Sequence, residues 1–197
     1  MYLLIESIKV VDGQLQNIAY HNKRFNRGRR ELWNCKDDLD IKTIVKVPSG
    51  ATKGLYKCTV SYNTGIVNVQ FQVYNIRKIA SLKIITANDI DYSYKYADRN
   101  SLNKLFAQRE NCDEILIVKN QLITDTSFSN IVFFDGDKWF TPDTPLLKGT
   151  KREKLLHEGL IKEASLKLDD LRNFNRASLI NAMLDIGDST IDVKNLK

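Results

Sequence analysis

Two runs of alternating character, Leu55 to Tyr62 and Ile66 to Tyr74, flank Asn63-Thr64-Gly65. Alternation with period 2 puts every second side chain on one face, and a short Gly-containing link closes two such runs as an antiparallel hairpin. The chain is thereby committed to a sheet. The rest repeats the theme. Tyr2 to Val10 reads as a strand, Asp12-Gly13 as a turn, and Gln14 to Ile18 as the returning strand. Leu82 to Thr86, Ile115 to Val118, Leu122 to Thr124, Asn130 to Phe134 and Lys138 to Thr141 follow, with short strands near Leu179 and Ile191. Helical spacing occurs at Phe25, Leu32 and Trp33 within a helix over His21 to Trp33, and again at Leu102, Leu105 and Phe106. A short helix is expected at Asp38 to Val45, before Pro48, and another over Thr150 to Glu158, stopped by Gly159. Strands outnumber helices and group into hairpins, so the fold class is α+β.

Composition matters mainly for what it excludes. No apolar run approaches the roughly 18 residues of a membrane span. The start meets Glu6 at once and lacks a basic leader, so no secretory signal is expected. Cys35, Cys58 and Cys112 are odd in number and far apart; they suggest neither a metal site nor a disulfide framework, and a reducing cytoplasm suits them. Net charge is +6, with Lys23, Arg24, Arg27, Arg29 and Arg30 crowded together. The plain reading is a solvated helix face. No nucleic-acid motif accompanies the cluster, and neither nucleic acid nor membrane is expected as a partner.

Three spans carry a more specific message: "ESIKVVDGQLQNIAYHNKRFNRGRREL" at 6–32, "YKYADRNSLNKLFAQRENCDEILIVKNQLITDTSFSNIVFFDGDKWFTPDTPLLKGTKREKLL" at 94–156, and "LINAMLDI" at 179–186. In order and spacing they resemble the class IV aminotransferase family, fold type IV enzymes that use pyridoxal 5'-phosphate (PLP). The first has the family's D-G hairpin and H-x-x-R-[LF] helix start. The second has a lysine, a helix, D-E-x-x-[IL], a T-[ED]-x-x-x-x-N segment, then T-P and L-x-G-x-x-R. The resemblance implies a two-lobed enzyme like D-amino-acid aminotransferase, with a small N-terminal lobe at 1–87 and a larger, mostly β, PLP-binding lobe at 88–197.

It also implies roles. Lys95, between Tyr94 and Tyr96, would be the lysine that carries PLP, burial among aromatic rings keeping its amine reactive. Asp125 stands where the family usually has glutamate and would face the pyridine nitrogen; as a bare residue it also suits a turn. Arg24 matches the phosphate arginine, although it belongs to the basic cluster. Gly149-Thr150-Lys151 matches the phosphate turn at a helix start, with the hydroxyl displaced by one residue from the family pattern. Asn130 is either a backbone-tying turn residue or a cofactor contact. Arg99 and Asn181 are candidates for substrate binding. His21 reads as structural and His157 as a surface residue. No metal is implied.

Asn181-Ala182 resembles the lyase branch, so the expected reaction is that of 4-amino-4-deoxychorismate lyase, giving 4-aminobenzoate and pyruvate. The first alternative is an aminotransferase for branched-chain or D-amino acids. The second is a basic binding module that kept the fold and lost the cofactor. A small anionic amine substrate and a homodimer are expected. The chain is shorter than typical family members, chiefly in the first lobe.

Overall fold

In the computed structural model, which describes residues 2–197 with Met1 outside them, strand β1 (Leu4–Val11) buries every second side chain. The buried row is Leu4, Glu6, Ile8 and Val10. Asp12 and Gly13 turn the chain with φ of 46° and 76°, the positive values a two-residue hairpin turn demands. Strand β2 (Gln14–Leu15) is shorter than its sequence suggested. Asn17 adopts a left-handed conformation, and helix α1 (Ile18–Trp33) starts where the return strand was expected to end.

Helix α1 buries His21, Arg24, Phe25, Asn26, Gly28 and Arg29. The solvated basic face read from sequence is therefore corrected at two positions. Arg29 is fixed by Asn26, Asp37 and the Thr64 carbonyl, and Arg24 by Glu6. Gly28 lets the helix close on the sheet: a Cβ there would lie 2.9 Å from Leu4 Cδ1 and 3.4 Å from Tyr62 Oη. Helix α2 (Ile41–Ile44) is a single turn capped by the Asp40 carboxylate.

Strands β3 (Leu55–Tyr62) and β4 (Ile66–Val73) form the expected hairpin, with Cys58 opposite Phe71 and Val60 opposite Val69. The sheet order is β2-β1-β3-β4. This sheet and its helices make one unit, Met1–Ile76 together with Tyr94–Asp98. The returning segment adds to the edge of β1: Ile5 N donates to Lys95 O (2.9 Å) and Ala97 N to Leu3 O (2.8 Å).

The second unit, Arg77–Ser93 with Arg99–Lys197, holds two sheets. Strand β5 (Leu82–Thr86) pairs in parallel with β6 (Glu114–Lys119), which pairs antiparallel with β7 (Leu122–Ile123). Helix α3 (Asn100–Phe106) lies between β5 and β6 in the chain. The run Glu114 to Val118 is buried throughout, as suits a strand covered on both faces. Because β5 pairs with β6, it lies with this unit and not with the lobe 1–87 drawn from sequence.

The other sheet is built from β8 (Asn130–Phe134), β9 (Trp139–Pro142), β10 (Lys162–Ala164), β11 (Arg176–Ile180) and β12 (Thr190–Asp192), in the order β10-β9-β8-β11-β12. Helix α4 (Thr150–His157) lies between β9 and β10 in the chain and ends at Gly159, whose φ is 68°. Leu82, Leu116, Ile123, Phe133 and Leu179 pack in one apolar cluster. Leu196 bridges to Leu82, and Lys197 exchanges backbone hydrogen bonds with β5. No helix among the described residues is long and apolar enough to cross a membrane.

Candidate active site

In the first unit, Lys95 is the central residue of a tight three-residue turn closed by Tyr96 N on Tyr94 O at 2.9 Å. The rings on either side meet edge to face, 5.9 Å between centroids. Both pack against the apolar cluster under α1, and Tyr94 Oη donates to Glu31 at 2.8 Å. The backbone carrying Lys95 is thus anchored on both sides, and its side chain is half-buried.

Arg24 projects from α1 into the buried row of β1. Its Nε donates to Glu6 Oε1 (2.8 Å) and its Nη2 to Glu6 Oε2 (2.6 Å). His21, one helical step earlier, places Nδ1 2.6 Å from the same Oε2. Burial pushes the Glu6 carboxyl up, but the Arg24 charge and the hydrogen bonds from both partners outweigh it and hold the pKa at about 2. Burial lowers the His21 pKa; Glu6 opposes that shift, while Arg24 and Lys95 add to it.

In the second unit the loop between β7 and β8 is the hub. Asp125 is buried, with Oδ1 accepting from Asn130 Nδ2 (2.7 Å) and Oδ2 from Leu147 N (3.0 Å). Burial raises its pKa to about 6, against the opposing effects of Leu147, Asn130 and the Arg152 charge. Asn130 Nδ2 also donates to Leu147 O at 2.8 Å. Its Oδ1 lies over Gly149, where a Cβ would come within 2.0 Å. The glycine at the start of α4 is therefore required by a close approach, but the approaching group is the Asn130 side chain.

The first amides of α4, from Thr150 to Arg152, precede any possible intrahelical acceptor, and the helix's first bond is Glu153 N to Gly149 O. Thr150 is buried. The Lys151 side chain is also buried but pairs with Asp185. Arg152 binds the Pro142 carbonyl (2.8 Å) and Glu163 (2.6 Å), and its buried Nε has no partner.

Arg99 and Asn181 both reach the hub loop. Arg99 Nη2 donates to Ser127 O at 2.8 Å and Asn181 Nδ2 to Phe128 O at 3.4 Å. Asn181 also accepts from Met183 N and Leu184 N, so the strand expected near Leu179 is present as β11 but gives way to a turn at Asn181. Ser129 closes the loop on Thr126, hydroxyl to hydroxyl, at 2.8 Å.

Direct bonds thus join Asp125, Asn130 and the segment leading into Gly149. Lys95 and Arg24 belong to the other unit. Glu6 and Glu114 lie within the motifs that carry the resemblance, but sequence reasoning gave neither a role. Glu114, buried with a pKa raised by that burial, accepts from Ile115 N (2.9 Å) and Ser127 N (3.3 Å). The available signal for Glu6 was a carboxylate in the buried register of an alternating strand.

Comparison with known proteins gives a consistent result. A family model described as amino-transferase class IV matches residues 3–188. An uncharacterised protein of Haemophilus influenzae (strain Rd) is 40% identical over 185 residues, covering 93% of this chain and 98% of its own length. A crystal structure from Haemophilus somnus 129pt, provisionally described as a 4-amino-4-deoxychorismate lyase, is 34% identical with a TM-score of 0.87, covering 93% of this chain and 97% of the other. A provisional amino-acid aminotransferase from Mesorhizobium loti shares 20% identity and a TM-score of 0.82 over 98% and 99% of the two chains. A hypothetical aminotransferase from Mycobacterium tuberculosis, solved in a PLP-bound form, shares 16% and 0.77 over 100% of this chain and 83% of the other.

Proposed function

This chain belongs to the class IV aminotransferase family, and on that footing we propose that it is a PLP-dependent lyase releasing 4-aminobenzoate and pyruvate from 4-amino-4-deoxychorismate. The observation that supports the PLP part of the reading is Asp125, a buried carboxylate held in place by Asn130 Nδ2 and Leu147 N. A carboxylate oxygen can accept more than one hydrogen bond, so Asp125 can take a further N–H donor. Within the second unit, Asp125 suits a protonated ring nitrogen and the Gly149-Thr150-Lys151 helix start suits a phosphate; from the first unit, the family resemblance assigns Arg24 to the phosphate and Lys95 to the aldehyde carbon.

PLP, when bound, supplies an electron sink for a carbanion at the carbon bearing the substrate nitrogen. Lys95 Nζ is assigned the proton movement, taking the hydrogen from that ring carbon. Loss of the enolpyruvyl oxygen from the neighbouring ring carbon would then make the ring aromatic, and Lys95 Nζ would return the proton it took to the leaving enolpyruvate, giving pyruvate. Asp125 would face the ring nitrogen and keep it protonated. Asn130 aims Asp125 and is assigned no separate contact. Arg99 and Asn181 take the substrate side through the loop that bears Asp125, and a small anionic amine suits the cationic balance. We place the enzyme in the cytoplasm, where its free cysteines would stay reduced.

The lyase reading draws on the 34% identity to the Haemophilus somnus protein. The test is to incubate purified holoenzyme with 4-amino-4-deoxychorismate and follow aromatic product and pyruvate. Both should appear without a keto-acid co-substrate. If neither appears, while a D-amino or branched-chain amino acid plus 2-oxoglutarate turns over, the chain is an aminotransferase.

A further inference from the structure

Glu6 is out of place by composition. It occupies a row with Leu4, Ile8 and Val10, all of them at most 1% exposed, where an apolar side chain would avoid the desolvation of a carboxylate. Its partners, Arg24 and His21, both come from α1, three residues apart. We propose that Glu6 and His21 are positioning residues that fix the direction of the Arg24 guanidinium for the cofactor phosphate, an inference that rests on the PLP reading above.

The geometry explains why such a brace is needed. Arginine carries a planar head on a long flexible stem. Holding Nε and Nη2 on the two oxygens of one carboxylate fixes that plane, and with it the direction of every other N–H. His21 Nδ1 on Glu6 Oε2 stops the carboxylate from rotating, so the brace has a brace of its own. The arrangement works against simple charge attraction. An ionised Glu6 offsets the Arg24 charge, which weakens the pull on a dianion. What it supplies is orientation before the phosphate arrives, so little ordering remains at the moment of binding.

A purely structural trio would also tie α1 to β1, and the experiment must separate the two roles. Pyridoxal, which lacks the phosphate, does so. The full chain, freed of cofactor, is titrated with PLP and with pyridoxal for the parent, Glu6→Gln and His21→Asn, following the visible absorbance of the bound form. Glu6→Gln should weaken PLP roughly tenfold or more, the scale of a charge-assisted contact, while pyridoxal changes by less than about threefold. His21→Asn should shift the same ratio in the same direction by a smaller factor, and it provides the test if Glu6→Gln does not fold. Equal losses for both compounds, or no loss for either, overturn the positioning role and leave the trio as a packing device. A parent that binds neither compound overturns the PLP reading itself, and the inference falls with it.

Discussion

Asp125 is a residue whose burial works against stability at neutral pH. Its pKa is about 6 in the folded chain against an ordinary 3.8, so the folded state holds the extra proton between those values. Its contribution therefore favours folding at low pH and is lost as pH rises through 6, a cost of about 3 kcal/mol at neutrality. Cofactor-free Asp125→Asn should lack this slope, and thermal melts of parent and variant from pH 4 to 7.5 read the difference directly. An identical pH dependence would mean that Asp125 is not the group responsible. With cofactor, the same variant should keep binding and lose most of its turnover, since the ring nitrogen would no longer be held protonated. Lys95 makes a simpler prediction. Borohydride reduction of holoenzyme followed by peptide mapping should put the cofactor on Lys95; a label on another lysine would reassign the site. The assignment of Lys95 rests on a family pattern around it, and Glu6 also stands in such a pattern, but its pairing with His21 and Arg24 was not legible, because those partners sit fifteen and eighteen positions away.

At the scale of elements, strand β3 was readable to the residue because its alternation agrees with its burial pattern, and β5 was delimited as well although its burial does not alternate. Helix α1 was readable as a helix but not as to which face it buries. Its inner face carries His21, Arg24, Asn26 and Arg29, polar residues that a hydrophobic period cannot find. Strand β10 was missed: three largely exposed residues pairing in parallel at a sheet edge leave no periodic trace. The junction of β8 and α4 yields a prediction of its own. Gly149→Ala would drive a Cβ into Asn130 and should destabilise the chain by about 1–3 kcal/mol, the range of overpacking. In an Asn130→Ala background the obstructing atoms are gone, so the same change should cost much less, and a double-mutant cycle should report a coupling of about 1–3 kcal/mol. Additive effects in urea melts would show that the asparagine and the helix start do not meet.

At the scale of the molecule, a division into two units with interleaved segments was not visible in composition, since the 94–98 segment differs little from its surroundings. What places it in the first unit is backbone pairing with Leu3 and Ile5, which sequence patterns do not encode at such separation. The chain should also self-associate. We expect light scattering at micromolar concentration to report a homodimer, twice the 22.7 kDa chain mass. A specific interface of at least roughly 1,000 Å² is the corresponding requirement; a mass of one chain at that concentration would refute it.

The pairing of residues 196–197 with β5 has a consequence during synthesis. The first unit has all its strands once Asp98 has cleared the ribosome, but β5, paired on one side with β6, waits on its other side for residues made about a hundred codons later. At about 5–20 residues per second, that wait is on the order of 5–20 s. For that interval the nascent chain presents one finished unit and one sheet with an open edge, and it is this edge, not the first unit, that a chaperone would have reason to cover.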